Sequence, residues 1–206
     1  MSALNEDQAS VLNRPSAWKS LVPLLLAGVF MVAGIVVLVY LGRDTARLMN
    51  APLDDIDLVP LVDAVPLPTV SEMKGEILVL HFWGTWCPPC VEEFPEYVQL
   101  VNAYKSNPKV RFLTVSCSPG AEESIETLRD DTIKFMHARR IRVTNYADPA
   151  MYTRGRIAKM LSSGGFQYPM TLVVDKSGTV REFWLGSSSN TMSQVHEAIK
   201  KQLAVD

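Results

Sequence analysis

Two thiols, Cys87 and Cys90, stand three residues apart in the stretch Gly84-Thr85-Trp86-Cys87-Pro88-Pro89-Cys90. At that spacing they can close a small disulfide ring and reopen it, or supply half of a metal site. The apolar run ILVLHFW (77–83) precedes the pair. An amphipathic pattern follows it, with Phe94, Tyr97, Val98, Val101 and Tyr104 on one helical face. The pair therefore falls where a buried strand turns into a helix. Unpaired backbone N–H groups and the helix dipole there favour the thiolate form of Cys87. Cys90 lies one turn deeper and can attack a mixed disulfide from inside. This division makes Cys87 the exchanging thiol and Cys90 the resolving one. Pro88 and Pro89 stiffen the loop and remove two N–H groups that could have stabilised the thiolate.

Other chemistries are open to the same residues. Zinc needs two more ligands, and only Cys117, His81, His137 and His196 remain, none at paired ligand spacing. Residue 91 is Val, which removes a CxxCH haem attachment. A ring this small restrains the unfolded chain little and makes a poor structural staple. A copper(I) module would use the reduced thiols with His81 or a methionine. A thiol peroxidase would oxidise Cys87 to the sulfenic acid and resolve it with Cys90 or Cys117. Against the peroxidase stands the absence of any basic residue in 84–95.

The elements that must position these thiols follow from hydrophobic periodicity. VRFLTVSC (110–117) reads as a second buried strand. Residues 121–139 read as a helix with Ile125, Leu128 and Phe135 inward. IRVTNY (141–146) reads as a third strand and MYTRGRIAKML (151–161) as a short helix, ended by Ser162, Ser163, Gly164 and Gly165. PMTLVVD (169–175) and TVREFWL (179–185) form a hairpin around KSG, and 190–203 a last helix with Val195, Ile199 and Leu203 inward. This order describes an α/β fold whose sheet ends antiparallel. The compact domain is expected at 69–206.

Before it lies a segment of another kind. Residues 21–41 run LVPLLLAGVFMVAGIVVLVYL without a charge. As a helix they reach about 31 Å, the thickness of a bilayer's hydrocarbon core. Trp18 and Tyr40 flank the run as interfacial aromatics. The reading is a tail at 1–20, a single uncleaved transmembrane anchor at 21–41 and a Pro- and Asp-rich linker at 42–68. Within that linker IDLVPLV hints at one edge strand. Arg14 and Lys19 balance Arg43 and Arg47 across the span, so charge does not orient it. The whole chain of 206 residues carries a net charge of -2. With no basic block, that charge gives no pull toward nucleic acid.

The strand, Trp83-Gly84-Thr85-Trp86-Cys87-Pro88-Pro89-Cys90, the helix and Pro95 together resemble the thioredoxin fold. More narrowly, SEMKGEILVLHFWGTWCPPCVEEFP is similar to membrane-anchored thiol-disulfide oxidoreductases of the TlpA type, which include the extracytoplasmic reductants of cytochrome c maturation. The resemblance implies a cis-proline opposite the cysteines at Tyr168-Pro169. There the backbone of Tyr168 would pair with a substrate strand, and Trp86 would line the same surface. It implies an assisting acid at Glu93, with Glu92 beside it. It implies a protein disulfide or dithiol substrate, such as apocytochrome c, a membrane electron donor, and no diffusible cofactor or metal. It also implies a place on the extracytoplasmic side of the cytoplasmic membrane. Two positions depart from the pattern. His81 stands where thioredoxin has a buried acid, as a core histidine or a proton shuttle. Cys117 reads as a small buried residue or as a further resolving thiol. Residues 118–167 exceed what thioredoxin needs between its central strand and its cis-proline, and could shape partner choice.

Overall fold

The structure is a computed structural model describing residues 17–120, 124–161 and 165–205. It divides into two units, Met1–Arg43 and Asp44–Asp206.

In the first unit a 32-residue helix, α1 (Ala17–Leu48), begins and runs past the unit's end. It starts four residues before the apolar run, and Pro23 lies inside it. Its apolar side chains, from Leu25 to Val37, are exposed. Among the described residues no helix is long and apolar enough to cross a membrane. The side chains at 21–22, 24 and 38–41 are outside the description, so the span expected at 21–41 falls partly beyond it. Most of the tail expected at 1–20 lies outside as well.

The second unit is built on a six-stranded sheet. Its strands are β1 (Val59–Val62), β2 (Ile77–Trp83), β3 (Val110–Ser116), β4 (Asn145–Ala147), β5 (Met170–Val174) and β6 (Val180–Leu185), in the spatial order β1-β4-β3-β2-β5-β6. β2 lies between a parallel β3, from Ile77↔Val110 to Trp83↔Ser116, and an antiparallel β5, from Leu78↔Val174 to Phe82↔Met170. Both faces of β2 are covered, and all seven of its residues are buried. Its period of two divides the core. Ile77, Val79 and Trp83 meet α2 (Pro88–Tyr104), α3 (Ile125–Ala138) and α5 (Thr191–Leu203) on one face. Leu78, Leu80 and Phe82 meet α4 (Tyr152–Met160) and the chain from Leu48 to Leu58 on the other. Gly178 (φ +88°) makes the turn between β5 and β6.

Three expectations change. The segment 42–68 does not run as a free tether. Leu48, Leu53, Leu58 and Leu61 are buried against the sheet, and residues 50–53 bond to the β5–β6 hairpin through Asn50 N–H to Val180 O (2.7 Å) and Leu53 N–H to Gly178 O (2.8 Å). The sheet face left open by α4 needs an apolar cover, and Leu48, Leu53 and Leu58 supply it, while Leu61 packs with Leu128 and Ala147. The compact unit therefore starts near residue 44 rather than 69, and its first strand, β1, carries Pro60 on the sheet edge. The strand expected at 141–146 shrinks to Asn145–Ala147, because β3 reaches it only through Val115↔Tyr146 and Ser116↔Ala147. The helix expected at 121–139 is Ile125–Ala138, capped by the Ser124 hydroxyl, which accepts from Thr127 N–H (3.1 Å). Residues 121–123 and the turn at 162–164 lie outside the description.

Candidate active site

The end of β2 delivers the cysteines to the start of α2. Cys87 is the N-cap, and its Sγ accepts from Cys90 N–H at 3.3 Å. Pro88 and Pro89 occupy the first helical positions, where a missing N–H leaves no intrahelical bond unmade. The two thiols are joined as a disulfide, with Cα atoms 5.3 Å apart. Cys87 is 4% exposed and Cys90 0%, so both are buried in the oxidised form and Cys87 is slightly the more open.

Facing outward beside them is an aromatic wall. Trp86 is 42% exposed, and its Nε1 donates to the Cys117 carbonyl at 2.8 Å. Gly84 makes room for it, since a Cβ there would stand 2.4 Å from Trp86 Nε1 and 2.9 Å from the Cys117 oxygen. Tyr168 meets the Trp86 ring edge-on at 5.2 Å and packs on the cluster that holds Cys87 and Cys90. The Tyr168–Pro169 peptide bond is cis and Pro169 is buried. The structure thus brings Trp86 against Tyr168, the residue before the cis Pro169, and sets Tyr168 on the cluster that holds the disulfide.

Glu93 lies one turn beyond Cys90 and is 5% exposed. Neither carboxyl oxygen has a hydrogen-bond partner among the described residues. Burial lifts this carboxyl to about 7. Ser187, which faces it without completing hydrogen-bond geometry, pulls it back slightly, and Glu96 adds a small upward push. A groove of about 340 Å³ beside it is lined by Glu92, Glu96 and Ser187–Ser189. Glu92 is exposed on the surface side, so of the two acids only Glu93 is buried.

His81 is fully buried, and its ring stacks on Tyr97 at 4.0 Å. Its Nδ1 pairs with Thr171 Oγ1 at 2.9 Å, while Nε2 has no partner among the described residues. Burial pushes the imidazole down to about 3, so it is a neutral core residue at pH 7. Cys117 is fully buried in the cluster on the sheet face opposite Cys87 and Cys90. Burial pushes its thiol up to about 12, which removes the thiolate needed for a resolving role. Among the described residues no three His, Cys, Asp or Glu side chains form a metal cluster.

One side chain that sequence reasoning missed closes the site from behind. Arg154, in the first turn of α4, is buried. Its Nε donates to Asp148 Oδ2 (3.1 Å), its Nη2 to the Asp148 carbonyl (3.0 Å) and its Nη1 to the Tyr168 hydroxyl (2.5 Å). Read locally, residues 151–161 show only a short helix with several cations. The partners lie 6 and 14 residues away, in segments whose pairing no local pattern announces.

The fold and site together define a thioredoxin-like domain with a disulfide-forming cysteine pair at a helix start. Over residues 64–183, more than half its length, the chain matches the AhpC/TSA family and belongs to it. It is 31% identical over 86 residues to the thiol:disulfide interchange protein DsbE of Pseudomonas aeruginosa, a match covering 40% of this chain and 48% of that one. It is 27% identical over 135 residues to the thiol-disulfide oxidoreductase ResA of Bacillus thuringiensis, covering 64% and 66%. The chain thus spans about half the length of the first of these relatives. Among solved structures, StoA of Bacillus subtilis superposes with a TM-score of 0.51 at 22% identity, covering 71% of this chain and 98% of that one. A thiol:disulfide interchange protein of Chlorobium tepidum superposes at 0.53 and 23%, covering 73% and 99%. These two likenesses establish the fold.

Proposed function

We propose that this protein is a membrane-anchored protein thiol-disulfide oxidoreductase that reduces exported protein disulfides, apocytochrome c being one candidate substrate. The observation that carries the reading is the Cys87–Cys90 disulfide at the N-terminus of α2, with Cys87 4% exposed and Cys90 fully buried, and with the half-exposed Trp86 packed on Tyr168 next to the cluster that holds the pair. The names of the DsbE and ResA relatives support the same activity.

The exchange runs in two displacements. In the reduced protein the Cys87 thiolate, favoured by the Cys90 N–H and the helix dipole, attacks one sulfur of the partner disulfide. That S–S bond breaks, the other partner sulfur leaves as a thiolate, and Cys87 is left in a mixed disulfide. Cys90 then gives its proton to the Glu93 carboxylate and attacks Cys87 Sγ. The second partner sulfur leaves, the partner has gained two electrons, and Cys87–Cys90 is the disulfide seen here. A base near 7 is matched to that transfer at neutral pH, whereas neutral His81, near 3, is a weak one. A membrane electron donor restores the dithiol.

The anchor at 21–41 and a place outside the cytoplasmic membrane belong to the same proposal. The uncharged length of that run and the exposed apolar side chains of α1 support them. The test is the reduction of insulin by the full chain in detergent with dithiothreitol as donor. Wild type accelerates it, Cys87→Ala abolishes it, and Cys90→Ala accumulates a mixed disulfide through Cys87. A Cys87→Ala protein with full activity would sink the proposal.

A further inference from the structure

We propose that Arg154 is the positioning residue for the partner-binding wall. The inference rests on the exchange reaction above and adds what holds its substrate surface in place.

The guanidinium joins three parts of the chain that are separate in sequence. Its bonds to Asp148 tie it to the start of α4, where the Asp148 carboxylate also accepts from Thr153 N–H (3.1 Å) and Arg154 N–H (2.9 Å). Asp148 is thereby fixed by the backbone of the helix that carries Arg154, and the guanidinium cannot swing away without breaking that first turn. Its Nη1 reaches the Ser118 carbonyl (3.5 Å), just past the end of β3, and the Tyr168 hydroxyl in the loop before β5. The Arg154 and Asp148 side chains are 3% and 0% exposed, so the guanidinium is held out of water, and its charge-assisted bond to the part-buried Tyr168 hydroxyl is made from that fixed base.

Both rings of the wall hang from this one group. Tyr168 is held directly. Trp86 is held by the Cys117 carbonyl, one residue before the Ser118 carbonyl that Arg154 also engages, and by its edge contact with Tyr168. The wall's outer side suits an extended segment around a partner's cysteine, with an apolar side chain resting on the half-exposed Trp86. Arg154 itself touches neither the disulfide nor that segment. It acts through the angle at which Tyr168 is presented, so its loss should weaken partner binding and leave the chemistry of the sulfurs in place.

A double-mutant cycle on the full chain tests this. Arg154→Lys keeps a charge for Asp148 but cannot span Asp148, Ser118 and Tyr168 together. Tyr168→Phe removes only the hydroxyl and leaves the Arg154–Asp148 pair intact, so it remains informative if the lysine variant fails to fold. The readouts are KM and kcat for insulin, and the rate at which dithiothreitol reduces the Cys87–Cys90 disulfide. Each single variant should raise KM about tenfold, the scale of one lost charge-assisted bond, with kcat and the dithiothreitol rate within about twofold. The double variant should be no worse than the worse single one, because both remove the same contact. Tyr152→Phe, on the same helix but bonded to Asp55, should change nothing. Additive effects in the cycle, an equal fall in the dithiothreitol rate, or a folded Tyr168→Phe protein with wild-type KM would each overturn the inference. A wild-type chain that reduces no insulin would overturn the functional reading itself, and this inference with it.

Discussion

The Glu93 carboxyl offers a quantitative test, because its burial acts on both stability and chemistry. In the unfolded chain it ionises near 4.5, and in the folded protein near 7. Below 4.5 it is protonated in both states and contributes nothing to the difference. Between 4.5 and 7 the unfolded chain has released the proton while the folded one still holds it, so stability falls as pH rises. Above 7 the loss is complete. The separation corresponds to about 3 kcal/mol, and about 2 kcal/mol remains after discounting for water reaching the carboxyl from the groove. Glu93→Gln cannot ionise, so it should be more stable than wild type by about 2 kcal/mol at pH 8 and equal to it at pH 4. Urea unfolding of the oxidised full chain at both pH values measures this directly. In single turnover, the same variant should slow resolution of the mixed disulfide and flatten its pH dependence around 7. A gain of equal size at pH 4, or a loss at pH 8, would refute the assignment of a buried, unpartnered carboxyl.

Two further outcomes follow from the same packing. Cys117, buried with its thiol near 12, should resist iodoacetamide at pH 8 in the folded protein, and Cys117→Ala should keep insulin reduction. Rapid labelling, read by mass spectrometry, or lost activity would give that thiol a role the site does not show. Gly84→Ala should displace the Trp86 indole and lower stability by about 2 kcal/mol, the scale of an overpacked site, seen as a change in tryptophan fluorescence and a lower Tm.

The parts of the site that rest on contiguous residues could be read in the sequence. Strand 77–83, the cysteines and the helix after them follow one another, so alternation, spacing and helix period locate them together. The cis Tyr168–Pro169 bond was reachable only through family resemblance, since nothing in a Tyr-Pro pair states its isomer. Arg154 was not legible because its work is done by partners in other segments. The chain at 48–61 misled for a related reason. Prolines and aspartates mark a linker, but leucines at 48, 53 and 58 find a sheet face that only the assembled strands expose. His81 shows the limit of reading chemistry from residue type, because its titration is set by a burial that only packing defines.

The central claim is that Cys87 and Cys90 form a reducing dithiol–disulfide couple. Equilibrating the full chain in dithiothreitol and glutathione buffers, with Cys117→Ser as control, gives its reduction potential. The account predicts a value near or below about -220 mV, toward the thioredoxin end of the scale. A value near about -120 mV, that of a strong oxidant, would contradict it and make the protein a source of disulfides rather than a reductant.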